Sequence, residues 1–179
     1  MTEFWRLDTL AHLGLWLLIA ALSILARLLP LSVAPESWPG PDLLLALTLA
    51  WVLRRPSHLP VAMIALVFFA EDLFLSRPPG LWALVVVIGT EVLRRRQSVV
   101  REMNLLLEWA TVAVVLVAMT VGYRIGLAIV MTPREPLDLS LIRLAVTVLF
   151  YPVVVGVLQY FLQVRKPATG EVDQLGRRL

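Results

Sequence analysis

Six charged side chains in an otherwise apolar sequence are the first candidates for chemistry. They are the acids Asp42, Glu71 and Asp72 and the guanidinium groups of Arg27, Arg124 and Arg143. Paired carboxylates can act as general acid and base when their environments differ, and arginine grips a carboxylate or phosphate through its planar fork. The other ingredients of catalysis are missing. The chain has no cysteine, which excludes a thiolate metal site, a cysteine nucleophile and a disulfide framework together. His12 and His58 each lack a second ligand at i+3 or i+4, so no metal site is expected. Ser23, Ser76 and Ser140 have neither a Gly-x-Ser-x-Gly setting nor a histidine base, and no phosphate-binding glycine loop or dinucleotide fingerprint occurs. The expectation is a protein without enzymatic activity, cofactor, metal or nucleic-acid partner.

The elements that must position these charges are membrane helices. Of 179 residues, 59% are hydrophobic and only 16% are charged, with a mean hydropathy of +0.83. A small soluble core could not bury that much apolar surface. Apolar runs fall at about 10–29, 42–53, 59–76, 80–93, 105–131 and 137–164. Basic residues alternate between the gaps. Arg6, Arg54, Arg55, Arg94, Arg95, Arg96, Arg101, Arg165, Lys166, Arg177 and Arg178 collect on one side, eleven of the sixteen. Basic residues in short loops stay cytoplasmic. The chain therefore reads as an all-α integral membrane protein, multi-pass in a cytoplasmic membrane, with both termini inside. A six-helix transmembrane domain covers 1–164, and a flexible basic cytoplasmic tail covers 165–179. A re-entrant hairpin of runs 42–53 and 59–76 is the alternative, because run 42–53 reaches only ~18 Å at 1.5 Å per residue. Ser32-Val33-Ala34 imitates a signal-peptide cleavage site, but the long first run and its acidic leader point to a retained helix.

Six crossings put all six candidate charges in the outer half of the bundle. An unpaired charge there costs at least ~2.5–3.5 kcal/mol, so ion pairs across helices are expected. Two readings stay open: a polar pocket or layer that grips a partner, and internal pairs that only fix helix register. Glu91 and Glu108 should pair with the inner cluster of Arg94, Arg95, Arg96 and Arg101, a cluster that can also touch anionic membrane lipid. Ala118, Gly122 and Gly126 form a small-residue stripe that lets another helix approach, within this chain or from a partner. Pro152 predicts a kink in the last helix. Glu71-Asp72 followed by Arg77 is similar to the paired-acid signature of intramembrane prenyl-protein proteases. The arginine lies one residue too far along, however, and no histidines accompany it.

One stretch carries a more specific pattern. Pro41-Asp42-Leu43-Leu44-Leu45 is followed by Trp51-Val52-Leu53-Arg54-Arg55-Pro56, then Phe68-Phe69-Ala70-Glu71-Asp72-Leu73-Phe74. Pro79-Gly80-Leu81-Trp82-Ala83-Leu84 and Arg94-Arg95-Arg96 complete it. Across 41–96 this order resembles the rod shape-determining MreD family, with a departure at Ser76-Arg77-Pro78-Pro79-Gly80, where that family is richer in glycine. The resemblance implies a non-enzymatic scaffold of the bacterial elongation machinery. Such a scaffold binds MreC and helps couple MreB filaments to peptidoglycan synthesis by RodA and its class B penicillin-binding partner. It also implies a compact bundle like the S-components of energy-coupling-factor transporters, hence a second reading as a vitamin-binding membrane module, with loop 30–41 as a lid. On the scaffold reading, Asp42 and Asp72 pin helices two and three to Arg124 or Arg143 and shape the groove that receives MreC.

Overall fold

The computed structural model describes residues 2–29, 40–97, 104–133 and 135–160, with side chains described from residue 9 onward. Residues 30–39 of the loop 30–41 proposed as a lid, Arg101, the last turn of the sixth apolar run and the tail 165–179 lie outside the described residues. So do the side chains of Arg6 and the acidic leader. The described residues form six α-helices: α1 (Thr2–Leu28), α2 (Leu43–Arg54), α3 (Val61–Phe74), α4 (Leu81–Arg95), α5 (Leu105–Ile129) and α6 (Leu137–Tyr160). A single 3-10 turn, Pro56–His58, joins α2 to α3, and no strand occurs among the described residues. Three helices are long and apolar enough to cross a membrane: α1 from Thr9, α5 and α6. The other three hold 12, 14 and 15 residues. At 1.5 Å per residue they reach only ~18–22 Å.

The shortest helix is the centre of the molecule. Every residue of α2 from Leu44 to Arg54 is buried, because α1, α4 and α6 pack around it. A helix that is apolar all round must be enclosed, and α2 is enclosed by protein rather than by lipid. The surrounding helices form an arc in the order α1, α3, α4, α5, α6. Trp16 on α1 locks onto α2 by donating its indole N–H to Thr48 Oγ1 at 3.2 Å. The arc turns its other face outward: Leu18 and Leu22 on α1, Leu66 and Phe69 on α3, Leu84 and Ile88 on α4, Val121 and Ile125 on α5, and Leu149 and Val153 on α6 are all exposed. An apolar surface spread over that many helices is of the kind that marks contact with a membrane or with another protein.

Successive helices run in opposite directions. Arg27, Asp42 and Glu71 meet at one end of the bundle, and Arg54, Glu108 and Tyr151 meet toward the other. We call these the Asp42 end and the Arg54 end. At the Asp42 end, α3 and α5 both stop on a left-handed residue that is not glycine, Ser76 (φ 53°) and Met131 (φ 54°). In each case the next amide donates back to a carbonyl five residues earlier, Arg77 N to Asp72 O at 2.9 Å and Thr132 N to Leu127 O at 3.1 Å. This is the helix-ending loop that normally favours glycine.

Pro152 lies inside α6 and cannot donate to the carbonyl of Val148. The indole N–H of Trp109 on α5 donates to that carbonyl instead, at 2.7 Å. The expected disruption is thus repaired from the neighbouring helix.

Candidate functional site

At the Asp42 end the side chain of Asp42 caps α2, its Oδ1 accepting from the Leu45 amide at 3.1 Å. The first turn of a helix leaves its amides unpaired, and a carboxylate there answers both the hydrogen bond and the dipole. The same oxygen accepts from Arg27 Nη2 at 2.7 Å, and Arg27 Nη1 reaches Glu71 Oε1, also at 2.7 Å. One guanidinium on α1 therefore ties α2 to α3. Arg77 adds a longer ion pair to Glu71 at 3.6 Å. The Asp42 amide donates to Thr147 Oγ1 at 2.9 Å, fastening α2 to α6.

Asp72, next in sequence to Glu71, does something different. Its Oδ2 accepts from the amides of Trp82 and Ala83, each at 3.2 Å. It thus caps α4 from across the α3–α4 turn. Gly80 supplies no capping side chain and adopts φ 82°, a conformation other residues resist. The expectation that Asp42 and Asp72 bind Arg124 or Arg143 is corrected by these contacts. Arg27 lies nearer to Asp42, and the free amides of α4 lie nearer to Asp72.

Arg124 and Arg143 instead converge on Glu135 in the α5–α6 connection. Arg143 binds its carboxylate through Nη1 at 3.0 Å and Nη2 at 3.2 Å. Arg124 Nη1 donates to the Glu135 carbonyl at 3.2 Å and to Ser140 Oγ at 2.9 Å. Between these arginines, Asp42, the α3–α4 turn and Trp82 lies a cavity of about 230 Å³. Its polar lining includes Arg77, Tyr123 and Thr147, and its apolar lining includes Leu45, Leu116, Leu127 and Leu144. Tyr123 meets Trp82 edge to face with ring centroids 5.0 Å apart, and Arg77 lies over the Trp82 ring at 5.8 Å. The six candidate charges thus divide into an interhelix clasp (Arg27, Asp42, Glu71), a cap (Asp72) and two cavity arginines. Asp42 belongs to both clasp and cavity lining.

The Arg54 end holds what the sequence reading missed. Arg54, expected to be a loop charge, is fully buried and binds Glu108 at 2.8 Å. Glu108 Oε1 also accepts from Tyr151 OH at 2.8 Å, which joins α2, α5 and α6. The expectation that Glu108 pairs with the Arg94–Arg96 group is corrected: burial of both partners makes Arg54 its counter-ion. Glu91 does pair within that group, with Arg94 at 2.8 Å. Arg94 in turn donates to the carbonyls of Pro56 and Leu59 at 2.8 and 2.7 Å, clamping the α2–α3 turn. His12 and His58, distant in sequence, stack with ring centroids 4.7 Å apart. Among the described residues no group of three or more histidine or acidic side chains could hold a metal ion.

The small-residue stripe on α5 does not act as one contact. Gly126 faces Leu81 of α4 so closely that an added Cβ would come within 2.6 Å of it. Gly122 has open space where a Cβ would be. Ala118 and Gly122 are exposed and line an apolar groove between α4 and α5 with Gly89 and Met119. No known protein family, curated protein or solved structure matches the chain.

Proposed function

We propose that this chain is a non-enzymatic scaffold of the bacterial elongation machinery, acting as the MreD family does. It crosses the cytoplasmic membrane six times, keeps both termini in the cytoplasm and binds MreC. Through MreC it helps couple MreB filaments to peptidoglycan synthesis by RodA and its class B penicillin-binding partner. One observation supports this reading most. Within 41–96, the stretch that carries the resemblance, Asp42, Arg54, Asp72 and Arg94 are spent on fastening helices to one another rather than aimed at a reaction centre. Outward apolar residues on the short helices α3 and α4 support their contact with lipid, and hence six crossings.

The groove at Ala118 and Gly122 is where we seat the MreC membrane helix, since small exposed residues let a second backbone approach. The test is co-purification of tagged chain and MreC in mild detergent. Gly122→Leu should remove MreC while leaving the melting temperature little changed, because a Cβ at this position has open space around it. Full retention of MreC by that variant would reject the groove, and failure of the native chain to bring MreC down would reject the scaffold reading.

The cavity at the Asp42 end favours the second reading, a vitamin-binding membrane module. A vitamin retained by the purified chain in place of MreC would select it.

A further inference from the structure

We propose that the cavity at the Asp42 end is a binding site for a phosphate or carboxylate group carried on an apolar body. In this site Arg124 and Arg143 seat the anion, and the Glu135 carboxylate occupies the fork of Arg143 until the ligand displaces it. The site rests on neither reading above; a scaffold or a transport module could carry it.

Charge placement carries the argument. Arg27 and Arg77 face Asp42 and Glu71, and Asp72 is held by the first amides of α4. Among the described residues that leaves Arg143 paired with the Glu135 carboxylate and Arg124 in contact with no carboxylate. Among the described residues Arg124 meets only neutral oxygens, the Glu135 carbonyl and the Ser140 hydroxyl. A half-buried guanidinium in an apolar bundle is stabilised far more by an anion than by a carbonyl. Arg124 reaches the Glu135 carbonyl and Arg143 its carboxylate, so the donors of both lie beside one residue on the cavity wall, where an anion can meet them together.

Size and lining define the rest of the ligand. A volume of about 230 Å³ equals the space of roughly seven or eight waters at ~30 Å³ each. A phosphate leaves part of it unfilled. Leu116, Leu127 and Leu144 make that remainder apolar, which suits the first carbons of a chain or ring attached to the anion. Exposed Ile125 and Leu141, on the turns that carry Arg124 and Ser140, continue an apolar surface at this end of the bundle. An anionic lipid headgroup and a soluble organic anion share this chemistry.

Glu135 supplies the directional prediction. It is itself a carboxylate in the fork of Arg143, half exposed and on a connection rather than a helix. An incoming anion must compete with it. Loss of its charge should tighten binding, whereas loss of either arginine should weaken it.

The test uses the full chain in a neutral detergent, with octyl phosphate as the probe and titration calorimetry as the readout. Octyl phosphate should bind saturably, at least about tenfold more tightly than octanol or inorganic phosphate, since each lacks half of the recognition. Arg124→Gln and Arg143→Gln should each weaken it about tenfold or more, and Glu135→Gln should tighten it several-fold. Thr120→Phe, which fills the cavity without altering a charge, should abolish binding while preserving the melt. It therefore guards against an arginine variant that fails to fold. Competition by nanodiscs containing phosphatidylglycerol, but not by phosphatidylcholine alone, would support the proposal with a lipid as the source. Competition by neither would support it with a soluble anion. Equal binding of octanol, tighter or unchanged binding in the arginine variants, or undiminished binding in Thr120→Phe would overturn it.

Discussion

The two ends of the bundle handle buried charge in different ways. At the Arg54 end a fully buried arginine, a buried glutamate and a buried tyrosine hydroxyl close on one another, and the apolar core surrounds them. At the Asp42 end four guanidinium groups and four carboxylates join the helix ends, and two of the arginines share Glu135 at the edge of a cavity. The first arrangement fastens three helices and is enclosed by the core, with Nε and Nη2 of Arg54 left without a hydrogen-bond partner among the described residues. The second places two arginines on the wall of a cavity. Charge inside a membrane protein is therefore structural where its partners enclose it and available where they only border a void.

That contrast sets the sizes of the effects to be measured. Arg54→Met or Glu108→Leu alone strands its buried partner and should cost ~3–5 kcal/mol. The double replacement should recover much of the loss, read as thermal or denaturant melting in detergent. Arg27→Met, which strands the clasp at the other end, should cost less, because the guanidinium side chain is 27% exposed and Arg77 stands beside Glu71. Equal losses at the two ends would erase the distinction between them.

Trp109→Phe should lower stability by ~1–3 kcal/mol, the cost of leaving the Val148 carbonyl without a donor beside Pro152. If Pro152→Ala is made in the same chain, the restored amide should remove most of that penalty. Asp72→Ala should cost ~1–2 kcal/mol through loss of the α4 cap, while Asp72→Asn, which keeps a carbonyl acceptor, should cost only part of it. The smallest change expected is a gain of ~0.5–1 kcal/mol from Ser76→Gly, because φ 53° is strained for serine and free for glycine.

The helices were legible in the sequence because their signal is local. Apolar runs at 42–53, 80–93 and 105–131 correspond to α2, α4 and α5 within two residues at each end, and Asp42 reads as a helix start from its place after Pro41. The pairings were not legible. Arg54 and Glu108 are separated by 54 positions, and nothing in either neighbourhood distinguishes a buried partner from a charge at a loop end. The tyrosine that completes their network lies a further 43 positions on. Asp72 and Glu71 are adjacent and chemically alike, yet a helix points neighbours about 100° apart, so one faces Arg27 and the other the start of α4. A signal that could have exposed Trp109 was present: an indole donor on the helix preceding a proline-interrupted one.

Composition and the order of apolar runs were sufficient to dictate an all-helical chain with helices long and apolar enough to cross a membrane, since burial of apolar surface depends on residue type and period alone. Packing decided which charge meets which, that α2 is enclosed by protein, and that Arg124 and Arg143 border a cavity instead of binding Asp42 and Asp72. Those outcomes depend on distances between residues far apart in the chain, and a hydrogen bond or ion pair acts over about 3 Å, a scale that only the folded arrangement of helices determines.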